Sequence, residues 1–218
     1  REQYNLYNVR YVVAPEDRDF PAFVQPLQQF GRHRLYQVET TGYFDLVGSS
    51  LEFTGGRTDF FPAATDWLAG ELPSVKQHPA MFLGRHRTVD GGSFRGKVEA
   101  SAGPSRGTVL SEEIGRNFFA ADVTVERDSL LLLKATYHPN WRATVDGVKT
   151  ETVMLMPSFV GVPLPPGDHQ VKIQYRPRRL RIILLWLGLI SLPLIAIVEK
   201  RGSALSSKLS RRALVPSV

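Results

Sequence analysis

Seventeen consecutive residues, Ile182 to Val198, carry no charge, and arginines and lysines crowd both ends of the run. At 1.5 Å per residue, a run of that length with interfacial flanks just crosses a hydrocarbon core of about 30 Å. A buried helix of a water-soluble domain keeps a polar face, and this run has none. Ser191 and Pro193 are its irregularities, and a membrane helix absorbs both by local adjustment of backbone hydrogen bonds. The expectation is one transmembrane helix at residues 178–200, counted with its basic flanks, with everything before it tethered to a lipid bilayer.

The part before the helix has the size of one ordinary domain, or of a domain with a subdomain. A first residue Arg1, with neither Met nor a signal-like apolar segment behind it, suggests a fragment or a processed product. The net charge is +6, but much of the excess surrounds the apolar run, at Arg176, Arg178, Arg179, Arg181, Lys200, Arg201, Lys208, Arg211 and Arg212. That placement suits lipid headgroups and argues against a nucleic-acid partner. Cations balance across the run, so the positive-inside rule barely decides orientation; long domains translocate largely regardless of charge, which puts the large part outside the cytoplasmic membrane and the basic tail inside. With no cysteine there is no disulfide scaffold and no thiolate metal site, and the redox compartment stays open.

The fold class read from the pattern is mainly β: an antiparallel β-sandwich with a small α/β N-terminal element and one C-terminal transmembrane helix. Residues 1–95 read as the mixed α/β part, 96–177 as the sandwich, 178–200 as the helix and 201–218 as a basic cytoplasmic tail. In the first part, Tyr11 to Ala14 and Leu35 to Val38 are strand-like, and Phe20 to Phe30 fits a short helix that starts near Pro21 and stops at Gly31. Tyr43 to Phe53 alternates partly and predicts strand. Ala63 to Leu72 predicts a helix ended by Pro73, with Ala64, Trp67 and Leu68 on one face. Met81 to Leu83 is a short strand, and the glycine-rich and charged stretch Gly84 to Gly96 a loop.

From Lys97 to Tyr175 the period is two. Phe119, Ala121, Val123 and Val125 should face one way, and Asp122, Thr124 and Glu126 the other. Leu130 to Leu133 is apolar on both faces and predicts a strand covered on both sides. Trp141, Ala143 and Val145 alternate with polar residues, Asp146-Gly147 supplies a tight hairpin, and His169, Val171, Ile173 and Tyr175 form the last strand after the turn Pro165 to Asp168. That strand runs almost directly into the apolar run, so the sandwich should sit close to the membrane.

Chemistry-bearing motifs are few. The five histidines, His33, His78, His86, His138 and His169, show no zinc-ligand spacing, and there is no phosphate loop, dinucleotide fingerprint or nucleophile elbow. Glu112-Glu113 and the group Asp122, Glu126 and Asp128 read as solvated strand faces. No catalytic residue, metal ligand or cofactor site is expected. One cluster is a candidate: in Thr136 to Trp141 (TYHPNW) and the following Asp146, the residues Tyr137, His138, Trp141 and Asp146 could line a saccharide-contacting rim. The competing reading is structural, with Trp141 in the core, His138 in a turn before Pro139, and Asp146 in the hairpin.

The order LLLLKATYHPNWRATVDG (Leu130 to Gly147), MPSFVGVPLPPGDHQVKIQYRP (Met156 to Pro177) and then an apolar helix resembles the C-terminal end of bacterial YfhO-like membrane proteins. The opening YNVRYVVAP and GRHRLYQVE resemble the family's preceding soluble segment more weakly. The resemblance implies a GT-C type polytopic glycosyltransferase that uses a polyprenyl-phosphate sugar outside the cytoplasmic membrane. The family's catalytic acids lie in an early loop that has no counterpart here, so no catalytic residue is carried over. The implied role is a membrane-proximal extracytoplasmic domain and last helix, supporting sugar transfer to a cell-envelope acceptor beside the remaining transmembrane core. The alternative is a single-pass anchored β-sandwich module that binds carbohydrate or protein.

Overall fold

The computed structural model describes residues 1–49, 51–83, 93–95, 107–177, 180, 183–195, 197 and 198. In chain order the first elements are α1 (Glu2–Leu6), β1 (Tyr11–Pro15), β2 (Val24–Phe30), β3 (His33–Val38), β4 (Phe44–Val47) and β5 (Glu52–Gly55). Next come α2 (Arg57–Ala69), β6 (Ala80–Leu83), β7 (Ser93–Arg95), β8 (Gly107–Ile114) and β9 (Phe118–Val125). The last are β10 (Ser129–Thr136), β11 (Trp141–Val145), β12 (Val148–Thr150), β13 (Val153–Leu155), β14 (Phe159–Leu164) and β15 (Gly167–Tyr175). Arg1–Tyr175 forms one compact unit and Arg176–Val218 a second.

Two sheets build the sandwich within the first unit. The larger has the order β4-β10-β14-β13-β6-β5-β7, and the smaller β12-β11-β15-β9-β8. Their facing side chains form one dry core: Phe44, Leu131, Leu133, Val160 and Val162 from the larger sheet meet Val123, Ala143, Val171 and Ile173 from the smaller. The expected alternation holds, since Ala121, Val123 and Val125 are buried on β9 while Glu126 is exposed. β10 is covered on both faces: Leu131 and Leu133 enter the sandwich core, and Leu132 packs on the opposite side with Val47, Leu155 and Phe159. Strands from both sides of residue 95 share the larger sheet, because β4 pairs with β10 through Phe44↔Leu133 to Val47↔Leu130.

β5 and β6 run parallel, the exception in a sheet whose other pairings are antiparallel. Parallel neighbours need a long crossover, and α2 supplies it. Its starting amide, Gly56 N–H, donates to Asp59 Oδ2 at 2.8 Å, and the N–H of Gly70 bonds back to Asp66 and Trp67 carbonyls. The helix thus begins before, and ends earlier than, the expected Ala63 to Leu72, with Pro62 inside it. Ala63, Ala64 and Trp67 face Phe53, Met81 and Met156 as the sequence period requires.

The expected helix over Phe20 to Phe30 is instead a strand. β2 is an edge of the three-stranded sheet β1-β3-β2, and its register slips between Pro26 and Gln28. Proline lacks the ladder donor and is admitted at edges and bulges, so Pro26 marks this strand rather than breaking a helix.

Residues 183–195 are helical with exposed apolar side chains, as expected in kind. The expected transmembrane helix at 178–200 is corrected to this extent: among the described residues no helix is long and apolar enough to cross a membrane. Several positions of the expected span, 178, 179, 181, 182, 196, 199 and 200, lie outside the described residues, as does the tail 201–218. Of the expected loop Gly84 to Gly96, only the short strand β7 is described.

Candidate functional site

The four candidate residues do not converge. Tyr137, His138 and Trp141 gather where β10 passes into β11. The Tyr137 N–H donates to the Ser158 carbonyl at 2.6 Å, and its half-buried ring packs against the sandwich core. The indole N–H of Trp141 donates to the Thr136 carbonyl at 3.0 Å, and its ring meets Tyr175 at 5.3 Å and Phe119 at 6.1 Å. His138 is exposed, accepts the Asn140 N–H on Nδ1 at 3.0 Å, and lies 5.6 Å from the Tyr175 ring. Trp141 is therefore half-buried at the margin of the core, with its polar atom spent on the turn.

Asp146 stands at the other end of β11, five residues on, or about 16 Å along an extended strand. With Gly147 it forms the β11–β12 turn at φ values of 53° and 81°, the paired positive angles that a two-residue hairpin demands. Its Oδ1 accepts the Gln170 N–H at 2.8 Å and its Oδ2 meets His169 Nδ1 at 2.7 Å. His169 Nε2 faces the Pro165 carbonyl at 3.0 Å. Two acceptors on one ring hold a proton on each nitrogen. The hydrogen bond to Asp146 raises the His169 pKa, and the same bond lowers that of Asp146.

The outer face of the smaller sheet carries an open groove of about 380 Å³, lined among others by Ser111, Glu113, Asp122, Thr144, Gln170 and Lys172. The Ser111 hydroxyl donates to Asp122 at 2.7 Å. Polar groups of both charge signs line this surface, and no aromatic ring does.

A buried polar cluster escaped the sequence reading. On the outer face of the larger sheet, Asp45 lies between Lys134 at 2.8 Å and Lys76 at 3.2 Å. Lys134 also donates to the Thr41 hydroxyl at 2.9 Å, and its side chain has no exposed surface. Burial lowers its pKa while Asp45 pulls it up. Shielded in this way, Lys134 can hold strands together but cannot meet a substrate. Nearby, His78 is buried against Trp67, its ring 5.0 Å away, and its Nδ1 donates to the Met156 carbonyl at 2.7 Å. Period-two strand logic marks every second residue as solvent-facing, so nothing in the pattern around Asp45 and Lys134 points to their buried pairing. Glu112 accepts the N–H groups of Tyr43 at 3.1 Å and Phe44 at 2.8 Å, tying β8 to the start of β4. Among the described residues no group of three or more His, Asp or Glu is placed to hold a metal ion.

No curated protein and no solved structure matches the chain. Residues 107–186 match the family model described as bacterial membrane protein YfhO, a segment that runs from the first residue of β8 through β15 into the apolar helix.

Proposed function

We propose that this chain is the membrane-proximal, extracytoplasmic β-rich part and last helix of a YfhO-like polytopic membrane protein. It supports transfer of a lipid-linked sugar to a cell-envelope acceptor and contains no catalytic centre of its own. The observation that carries the reading is the extent of the family match, 107–186, which includes the sandwich strands β8 to β15 and the first residues of the apolar run. On this reading the uncharged run Ile182 to Val198, helical at 183–195, anchors the sandwich in the bilayer. Among the described residues the exposed Asp146 is paired with His169, whose two ring nitrogens are both engaged within their own turn region, and on this reading catalysis falls to the transmembrane core of the parent protein.

The test is turnover. Purified chain supplied with polyprenyl-phosphate sugars should transfer none, and any turnover overturns the assignment of catalysis elsewhere. The parent gene should encode many apolar segments upstream of Arg1.

A second reading, an anchored saccharide-binding module, is favoured by the polar groove on the smaller sheet. A lone signal peptide upstream in place of many spans would support it.

A further inference from the structure

The smaller sheet has two chemically unlike ends. One comprises the β8–β9 turn, the start of β11 and the end of β15, joined by register and by a bond: Trp141 lies opposite Tyr175, whose N–H donates to the Asn117 carbonyl at 3.0 Å. Exposed Arg116, in the β8–β9 turn, and exposed Arg142, next to Trp141 in β11, belong to this end, which also carries the rings of His138, Trp141 and Tyr175. Lys172 leans its ammonium over the Phe118 ring at 4.3 Å, toward the same end. Ile114 projects there with 52% of its surface exposed. Glu113 on β8 and Glu151 after β12 are exposed carboxylates of the same sheet.

The opposite end is acidic. Glu126 and Asp128 follow β9, Asp146 forms the β11–β12 turn, and Asp168 lies at the start of β15, four acids against Arg127, Lys149 and His169. The basic, ring-bearing end is the one from which the chain departs, since β15 ends at Tyr175 and the apolar helix is under way by residue 183. Fully extended, the intervening chain reaches no more than roughly 30 Å.

Amphipathic aromatic rings concentrate at the membrane–water boundary, and arginine and lysine are drawn to anionic headgroups. The end that meets both criteria is also the tethered end. We propose that the Arg116, Arg142, Trp141 and Tyr175 end of the sandwich rests on the anionic lipid headgroup surface, with the acidic end turned toward water. The inference rests on the reading that the apolar helix is inserted in a bilayer, and the experiment separates the two.

Because the chain has no cysteine, Asn117→Cys and Asp128→Cys each create a single labelling position, both exposed, at opposite ends of the sheet. The full chain, labelled with a fluorophore, is reconstituted in vesicles of phosphatidylglycerol and phosphatidylcholine doped with a lipid that carries a nitroxide quencher on its headgroup. Quenching should be severalfold stronger at position 117 than at position 128. The ratio should fall in vesicles of phosphatidylcholine alone and in Arg116→Glu, a change confined to an exposed turn. Equal quenching at the two positions, in protein that floats with the vesicles, overturns the orientation and leaves the anchoring intact. Unequal quenching that ignores lipid charge and Arg116→Glu overturns the role given to the headgroups. A chain that does not float with the vesicles removes both.

Discussion

His78 and His169 carry the same imidazole and are driven in opposite directions. His78 lies beneath α2 with 2% of its surface exposed; burial lowers its pKa to about 4, against the upward pull of its bond to Met156 and of Asp45 and with the downward push of Lys134 and Lys76. His169 lies in a turn region between a carboxylate and a carbonyl, and the bond to Asp146 raises its pKa despite some burial. Loss of water without a charged partner favours the neutral ring, whereas a neighbouring anion favours the charged one. A histidine's role is thus set by what replaces its water.

The strongest way to break this contrast is Trp67→Ala. The Trp67 indole is 2% exposed, and its N–H donates to the Gln77 carbonyl at 3.0 Å. Its removal should cost about 3–5 kcal/mol, read from urea unfolding, and water entering the space should raise the His78 pKa toward its ordinary value in an NMR titration.

Acid gives the next largest effect. With its folded pKa depressed, His78 contributes fully above its unfolded value of about 6.5 and loses that contribution as pH falls toward 4. Across that window the domain should lose about 3 kcal/mol, measured as the shift of the urea midpoint with pH. His169 has the opposite sign: its contribution is complete below about 6.5 and fades as pH rises through its raised folded value. Asp146, whose pKa is depressed, contributes fully above 3.8 and loses that contribution only at lower pH, so it leaves the His78 window clear.

The smallest effect is expected from Asp146→Asn. Amide for carboxylate keeps an acceptor in the turn but removes the charge, so the His169 pKa should drop back toward its ordinary value in the same titration. Stability should scarcely move, because the Asp146 carboxylate is half exposed and water screens the pair. An unmoved His169 pKa would mean that the Pro165 carbonyl, not Asp146, holds the second proton.

The sequence made the sandwich legible wherever a strand has one wet and one dry face. Val123 and Ile173 could be placed on the core side from period two alone, and Asp146-Gly147 announced its turn through the positive φ angles it must adopt. Leu130 to Leu133 was legible for the opposite reason, being apolar on both faces. Pairing partners were not legible: nothing in Phe44 to Val47 says that it will lie against β10, 89 positions away at Phe44↔Leu133, because register is written in packing complementarity rather than composition. Apolar residues at 24, 27 and 30 imitate a helical period, and only the edge position with its bulge at Pro26 makes a strand of them. The candidate rim was misleading in a similar way. Trp141 and Asp146 are close in sequence, but an extended strand carries near neighbours apart.

The position of β15 bears on how the molecule is made. It lies between β11 and β9 in the middle of the smaller sheet, and among the described residues no other strand follows it. A ribosome delivers its residues after every other strand, so the sandwich core stays open until the chain is complete to Tyr175. Because non-local pairing must wait for its partners, the earlier strands emerge as unclosed polypeptide. Closure then falls at the moment when the apolar run after Tyr175 is itself being synthesised, so that maturation of the domain becomes a late event.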